Sequence, residues 1–448
     1  MSFFKWLYPG LGIKRWLALA ILGILLISAG MAVVFQGEVL GYVEKNLRNT
    51  TSELFGYSGS GVSGIMLVLL GMLLIVYSFR EIVKSFVRVA FPDYLHSQVK
   101  NAYQRQYLRR GPRVVVIGGG TGLSVLLRGL KQYTSNITAI VSVTDDGGSS
   151  GRLRGQFGIL PPGDLRNCLV ALADTELAME KLFNYRFTQG EELAGHSLGN
   201  LLITAMADLS GNFETAIKEM SKVLAIRGRV VPSTLADIVL VAELQDGSMV
   251  RGESSIARVN KPIKRVFTIP DTYEPNPEAI EAILEADAVI LGPGSLYTSI
   301  IPNLLVPGLV EAIQQSQALK IYACNVMTQP GETRDYTASD HLKAIYRHSA
   351  PGLVDYIIVN NERIPEYFSE KYAQEGAKGV EVDMHKLNKL NVKIIATPLI
   401  QESNYIRHNS EKLARVILKL ILEERGPRFA PSLIDQYLLA ERLKKEAR

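Results

Sequence analysis

The sequence predicts an α/β protein: a Rossmann-like, doubly wound, mostly parallel sheet preceded by two transmembrane helices. Three observations carry this reading. From Arg113 onward, short continuous apolar runs alternate with segments of helical spacing, as expected of buried parallel strands covered by helices. The first run, Arg113–Ile117, passes into four glycines within five positions (Gly118, Gly119, Gly120, Gly122) and then into a helical pattern. Upstream, two long uncharged stretches stand apart from everything that follows.

Those stretches are Trp16–Phe35, 20 residues, and Val62–Phe79, 18 residues. Each is long enough to cross a hydrocarbon core of about 30 Å at roughly 1.5 Å per residue. A second span so soon after the first favours a hairpin anchor over a cleaved signal peptide. Lys5, Lys14 and Arg15 precede the first span, and eight Lys or Arg follow the second between Arg80 and Arg113. The intervening loop has only Lys45 and Arg48 against three glutamates. Basic flanks favour the cytoplasmic side, so the expectation is a two-pass membrane protein with both termini and the main domain cytoplasmic. The expected boundaries are a membrane anchor over 1–80, a basic juxtamembrane linker over 81–112, a large domain over 113–425 and an amphipathic tail over 426–448.

Global composition narrows the function classes. A formal net charge of +5 on 448 residues gives no reason to expect a nucleic-acid partner. Cys168 and Cys324 are far apart without CxxC spacing, which excludes a disulfide framework and a thiolate zinc site. The six histidines are scattered singly, so no helix-borne metal pair is visible.

The predicted strands are Val114–Ile117, Ile137–Val143, Ile238–Glu243, Ala288–Leu291, Lys320–Cys324, Tyr356–Val359 and Val392–Ala396. Between them the periodicity predicts helices over Ser124–Lys131, Leu165–Ala173, Leu198–Ala207, Glu214–Leu224, Pro277–Ala286, Leu304–Gln317, Ser339–His348 and Ser410–Leu422. Ligands of such sheets bind beyond the carboxyl ends of the strands, so each strand exit is a place to look for polar chemistry.

The first exit, "GGGTG", allows backbone N–H groups to approach an anion, with Thr121 offering a hydroxyl. It is not the dinucleotide fingerprint, because Leu123 occupies the third glycine position. The second exit, "TDDGGSSGRLRG", presents Asp145 and Asp146, candidates for a ribose or for a magnesium ion. Ser149, Ser150, Arg152 and Arg154 follow as donors to phosphate oxygens. In "PPGDLRN", Asp164 reads first as a helix N-cap, and Arg166 and Asn167 face whatever it faces. "GHSLGN" fits the nucleophile-elbow pattern at Ser197, but the polar "FTQGEELA" before it supplies no strand. Ser197 is better read as a helix cap, with His196 and Asn200 lining a pocket. "GPGSLYTS" adds a second glycine turn with Gly294, Ser295, Tyr297, Thr298 and Ser299; Asn303 lies near the next helix start. Asn325 follows the fifth strand, and "NYIRHN" places Arg407 before the last long helix. Several exits rich in Gly, Ser, Thr, Asp and Asn on one side of a sheet suit a phosphate-bearing ligand with a sugar.

Taken together, "GGGTGLSVLLRGLK", "TDDGGSSGRLR", "PPGDLRN", "GHSLGNLL", "GPGSLYTS", "PNLLVPG", "CNVMTQPGET" and "YTASDHL" resemble the YvcK-type gluconeogenesis factors, relatives of the 2-phospho-lactate transferase CofD. The resemblance runs in register from about Arg113 to Leu422. It implies a domain that binds UDP-sugars, UDP-N-acetylglucosamine in particular, in a regulator of carbon-source-dependent cell-wall synthesis and cell shape. By the same resemblance Gly118–Gly122 with Thr121 would hold the diphosphate or ribose, and Asp145 and Asp146 would face the phosphates, with or without Mg2+. Asn325, Tyr297, Tyr372 in "EKYA" and Arg407 would line the pocket. A homo-oligomer meeting cell-envelope proteins is the expected assembly. The alternatives are a CofD-like magnesium-dependent transferase, with Asp145 and Asp146 on the metal, and an NAD(P)-dependent oxidoreductase. The family's usual members begin near the first strand, so the N-terminal hairpin is a departure.

Overall fold

A computed structural model of the chain describes residues 13–35, 60–90, 108–174, 177–402 and 405–425. The tail over 426–448, the loop between the two apolar stretches and most of the expected linker lie outside the described residues. The chain divides into two compact units between Gln104 and Arg105.

The first unit contains two helices, Ile13–Phe35 and Ser60–Ala90. They pack through small residues: a methyl group added at Gly30 would lie 2.7 Å from Gly64 O, and one at Gly71 would lie 2.6 Å from Gly23 O. Leu25, Leu73, Val76 and Phe79 face outward from this pair. Among the described residues one stretch, Gly64–Ile82, is long and apolar enough to cross a membrane. The described apolar part of the first helix, Trp16–Met31, is shorter than a full span.

The second unit is built on a seven-stranded parallel sheet. Its strands are β1 (Val114–Gly118), β2 (Ile137–Val141), β3 (Arg229–Pro232), β7 (Ala288–Leu291), β8 (Leu319–Ala323), β9 (Tyr356–Asn360) and β10 (Lys393–Thr397), in the order β10-β9-β8-β7-β1-β2-β3. Three strands inserted between β3 and β7, namely β4 (Val239–Leu244), β5 (Met249–Arg251) and β6 (Ile263–Ile269), form a small antiparallel sheet. A short pair, β11 (Ile400–Gln401) and β12 (Arg407–His408), follows β10.

Alternation along the strands divides the core into two layers. Val114 and Val116 join one layer with Leu123, Leu165, Ile203 and Ile417, while Val115 and Ile117 join the other with Ile283, Ile300 and Ile345. Each fully buried side chain of this kind stabilises the fold by about 1.5–3 kcal/mol of transfer free energy. Both faces are apolar because helices cover both, which explains why the strands read as continuous apolar runs.

Some expected elements differ. The segment predicted as strand Ile238–Glu243 is extended, but it belongs to the antiparallel insert. The edge strand β3, "RVVP", was not expected; four residues ending in proline give little periodicity, and an edge tolerates that proline. The helix predicted over Leu304–Gln317 is instead Leu296–Leu304 and Leu309–Gln315, bent by 73°. Pro307 and Gly308, the latter at φ +83°, separate the two pieces.

Candidate functional site

From β1 the chain runs outward through β2 to β3, then returns to β7 on the other side of β1. The switch point therefore lies between β1 and β7, where two loops leave neighbouring strand ends in opposite directions and open a crevice. Here a cavity of about 400 Å³ is lined by Gly119–Gly122 after β1, Pro293–Ser295 with Thr298 and Ser299 after β7, and Asn325–Gln329 after β8. Asp164, Glu253, Tyr372 and Ile406–His408 complete its walls.

The β1 turn requires glycine for physical reasons. Gly120 has φ +66°, a conformation other residues rarely adopt. A methyl group at Gly122 would lie 2.7 Å from Pro293 O and 2.9 Å from Gly294 Cα, so the two turns meet backbone to backbone. The helix Gly120–Leu130 that follows starts after Gly119, which has no side chain to cap it, so the helix start borders the cleft with backbone donors. Thr121 is exposed at this helix start, while the buried Ser124 donates its hydroxyl to Thr121 O at 2.7 Å.

A set of amides holds the second turn. Asn325 Nδ2 donates to Gly294 O at 2.8 Å, and Gly294 N–H donates to Asn325 Oδ1 at 3.3 Å. Gln329 Nε2 donates to Ser295 Oγ at 2.8 Å. The fully buried Asn303 donates through Nδ2 both to Gly118 O at 3.1 Å and to Ser299 O at 2.7 Å, tying the β1 end to the β7 turn. Buried Glu332 accepts from Tyr297 N–H at 2.9 Å and from Thr298 Oγ1 at 2.7 Å, and burial raises its carboxyl above the usual range.

One wall is acidic. Asp164 lies under the first turn: its Oδ2 would be 2.5 Å from a methyl group at Gly119, and it accepts from Gly120 N–H. Burial and then the nearby Asp145 raise its pKa to about 7. Glu253 reaches the same wall from the antiparallel insert and accepts from Thr144 Oγ1 at 2.6 Å. Burial, then Asp164, push its carboxyl well above the usual range. On the far side, Tyr372 Oη accepts from Ile406 N–H at 3.0 Å, and Lys371 Nζ sits 4.4 Å from the centre of the Tyr405 ring. His408 Nε2–H donates to Cys324 O at 3.0 Å, and burial lowers its pKa to about 4.

Of the residues singled out from sequence, Gly119, Gly120, Thr121, Gly122, Asp164, Gly294, Ser295, Asn325, Tyr372 and Arg407 lie together on this cleft. Gly118 ends β1 beneath it, its carbonyl occupied by Ser142 N–H and Asn303. Tyr297 does not line the cleft; it is fully buried, with its hydroxyl 2.8 Å from that of Tyr336. Asp164 is not an N-cap either: its helix begins at Pro162, with Pro161 in the capping position.

The other residues form an adjoining polar cluster. Asn200 Nδ2 donates to Ser149 Oγ at 3.1 Å, which directs the serine hydrogen to His196 Nδ1 at 2.9 Å. Burial, then Arg152, lower the pKa of His196, favouring the neutral ring that can accept this hydrogen. A methyl group at Gly163 would crowd Ser150 Oγ, and Asn167 Oδ1 accepts from Arg166 at 2.8 Å. Ser197 caps the helix Leu198–Ser210, its Oγ accepting from Asn200 N–H at 3.3 Å. No strand feeds that serine, so the nucleophile-elbow geometry is missing.

The adjacent carboxylates of Asp145 and Asp146 are held by different segments. Asp145 Oδ1 accepts from Gly147 N–H at 2.9 Å, whereas Asp146 Oδ1 accepts from Ser254 N–H at 2.8 Å on another segment. Among the described residues no three His, Cys, Asp or Glu side chains converge as a metal site.

Glu253, Asn303, Gln329 and Glu332 were not expected at the site. Glu332 lies in the loop after β8, within "CNVMTQPGET", and Glu253 follows β5 of the insert, so only the tertiary fold carries Glu253 to the cleft. Asn303 stood beside the motif, and its burial was the missing signal.

A doubly wound parallel sheet with paired glycine turns at its switch point defines the chain's class as a Rossmann-like α/β protein. The chain belongs to the 2-phospho-L-lactate transferase CofD family, whose profile matches residues 114–400. It is similar to the gluconeogenesis factor of Bacillus subtilis, at 51% identity over 313 residues, covering 70% of this chain and 99% of that protein. A relative from Nostoc sp. is 47% identical over 423 residues, covering 93% of this chain and 92% of its own, so it shares sequence upstream of the sheet domain. Among solved structures, a member of the UPF0052 family from Bacillus halodurans is 55% identical with a TM-score of 0.67, covering 69% of this chain and 99% of that one.

Proposed function

We propose that the switch-point cleft binds a nucleotide-sugar, UDP-N-acetylglucosamine in particular, and that the protein is a regulator linking carbon metabolism to cell-wall synthesis and cell shape. The observation that carries this reading is the pair of glycine turns meeting at one crevice. Backbone N–H groups and Thr121 suit a diphosphate, while Asn325, Tyr372 and Arg407 leave room for a nucleoside and a sugar. The names of the relatives support the metabolic setting. The N-terminal helices serve in this reading as a two-pass anchor holding the domain at the cytoplasmic face.

A second reading is favoured by Asp164 and Glu253 on the cleft wall: a CofD-like transferase using carboxylates and a metal to manage phosphate charge. Calorimetric titration of the full chain in detergent separates the two. UDP-N-acetylglucosamine binding without magnesium, in preference to GDP and NAD, is the expected result. Magnesium-dependent GDP binding with silence toward UDP-sugars would transfer the assignment to the transferase.

A further inference from the structure

The amino-terminal end of the strands holds a second cavity, of about 520 Å³, where β1, β2 and β3 begin. Four arginines line it: Arg109, Arg113, Arg227 and Arg229. Its two acidic groups are already engaged. Asp174 pairs with Arg227 at 2.8 Å, and Glu285 pairs with Arg113 at 3.3 Å. Arg109 and Arg229 are exposed and make no side-chain ion pair with any described residue, so two positive charges at the rim are uncompensated. Arg227 also keeps a buried Nε–H without a hydrogen-bond partner, although its terminal nitrogens reach Asp174 and Lys131 O.

Hydrogen bonds tie together the backbone around these groups. Asn136 Nδ2 donates to Arg109 O at 2.8 Å and to Gly111 O at 2.6 Å, fixing the segment that carries Arg109 onto the start of β2. Arg113 N–H donates to Asp287 Oδ2 at 2.7 Å. The neighbouring Lys131 donates to Ala173 O at 2.8 Å, and its pKa is lowered by burial and then by Arg227.

We propose that this cavity binds a phosphomonoester dianion, at a site separate from the switch-point cleft. Guanidinium forks match phosphate oxygens in geometry and charge. The same chemistry is offered by a small soluble phosphate ester and by the headgroup of phosphatidic acid.

The test uses the full chain, with amide hydrogen exchange followed in peptides spanning 108–113 and 225–229. One arm adds sn-glycerol 3-phosphate to protein in neutral detergent. The other compares phosphatidylcholine nanodiscs with and without phosphatidic acid. Protection in the first arm identifies a soluble ester; protection only with phosphatidic acid identifies the headgroup. In either case Arg109→Ala/Arg229→Ala should weaken the effect about tenfold or more, with Arg109→Lys/Arg229→Lys intermediate and the melting transition unchanged. Absence of protection by both probes, equal protection in the alanine variant, or protection confined to 118–125 would overturn the proposal.

Discussion

Thr121 and Asp164 present opposite faces of one problem, how to hold an anion beside a carboxylate. Thr121 stands exposed in the first turn of its helix. In the nucleotide-sugar reading its hydroxyl donates to the ligand, so Thr121→Val should weaken UDP-N-acetylglucosamine binding by ~1 kcal/mol, a several-fold effect by calorimetry. Unchanged affinity in a folded variant would remove the hydroxyl from the site. Asp164 crowds the same turn, with a pKa raised to about 7 by burial and by Asp145. A bound diphosphate favours the protonated form, so affinity should fall as pH rises through about 7, and Asp164→Asn should flatten that dependence. The sign for stability follows from the same shift. The folded carboxyl holds its proton more tightly than the unfolded one, so stability declines as pH rises from about 4 to about 7. Asp164→Asn should therefore melt higher than wild type at pH 8, with the gap closing toward pH 4. A constant gap across that range would show that Asp164 does not titrate as the geometry implies.

At the scale of elements, the cleft depends on how two strand exits are joined. Asn303 bonds Gly118 O on one side and Ser299 O on the other, while Asn325 closes the Gly294 turn from β8. Asn303→Ala should cost about 1–3 kcal/mol in chemical denaturation, because buried carbonyls lose a donor. It should also weaken ligand binding by loosening the turn. A stability loss below a few tenths of a kcal/mol would mean that the two turns are held by packing alone. The exits were legible because buried strands show as apolar runs and close backbone contact shows as glycine. Edge strand β3 and the location of Val239–Leu244 were not. Both depend on which neighbour an extended segment pairs with, and Glu253 entered the site through that same unread pairing.

At the scale of the molecule, the sheet domain and the N-terminal helices form separate compact units. Relatives matched over 99% of their own length align with about 70% of this chain. The family therefore includes proteins whose matched length is that of the sheet domain. Removing residues 1–104 should leave a soluble, cooperatively melting domain that binds the same ligand, measured by size-exclusion chromatography and calorimetry. Aggregation of that fragment would mean that the upstream helices contribute to the domain's fold. The full chain should partition with membranes through outward-facing residues such as Leu25, Leu73, Val76 and Phe79. Recovery of the full chain in the soluble fraction without detergent would count against the anchor.

By itself the sequence determined the layered α/β architecture, the glycine turns and the family, because these are written locally in periodicity, backbone permissiveness and motif order. The tertiary structure decided which strand exits share a crevice. It brought Asp164 against Gly119 and Glu253 onto the same wall, buried Tyr297 away from the cleft and gathered four arginines at the amino-terminal end of the strands. Such contacts are set by strand order and pairing between segments distant in the chain, and a local reading does not contain that information.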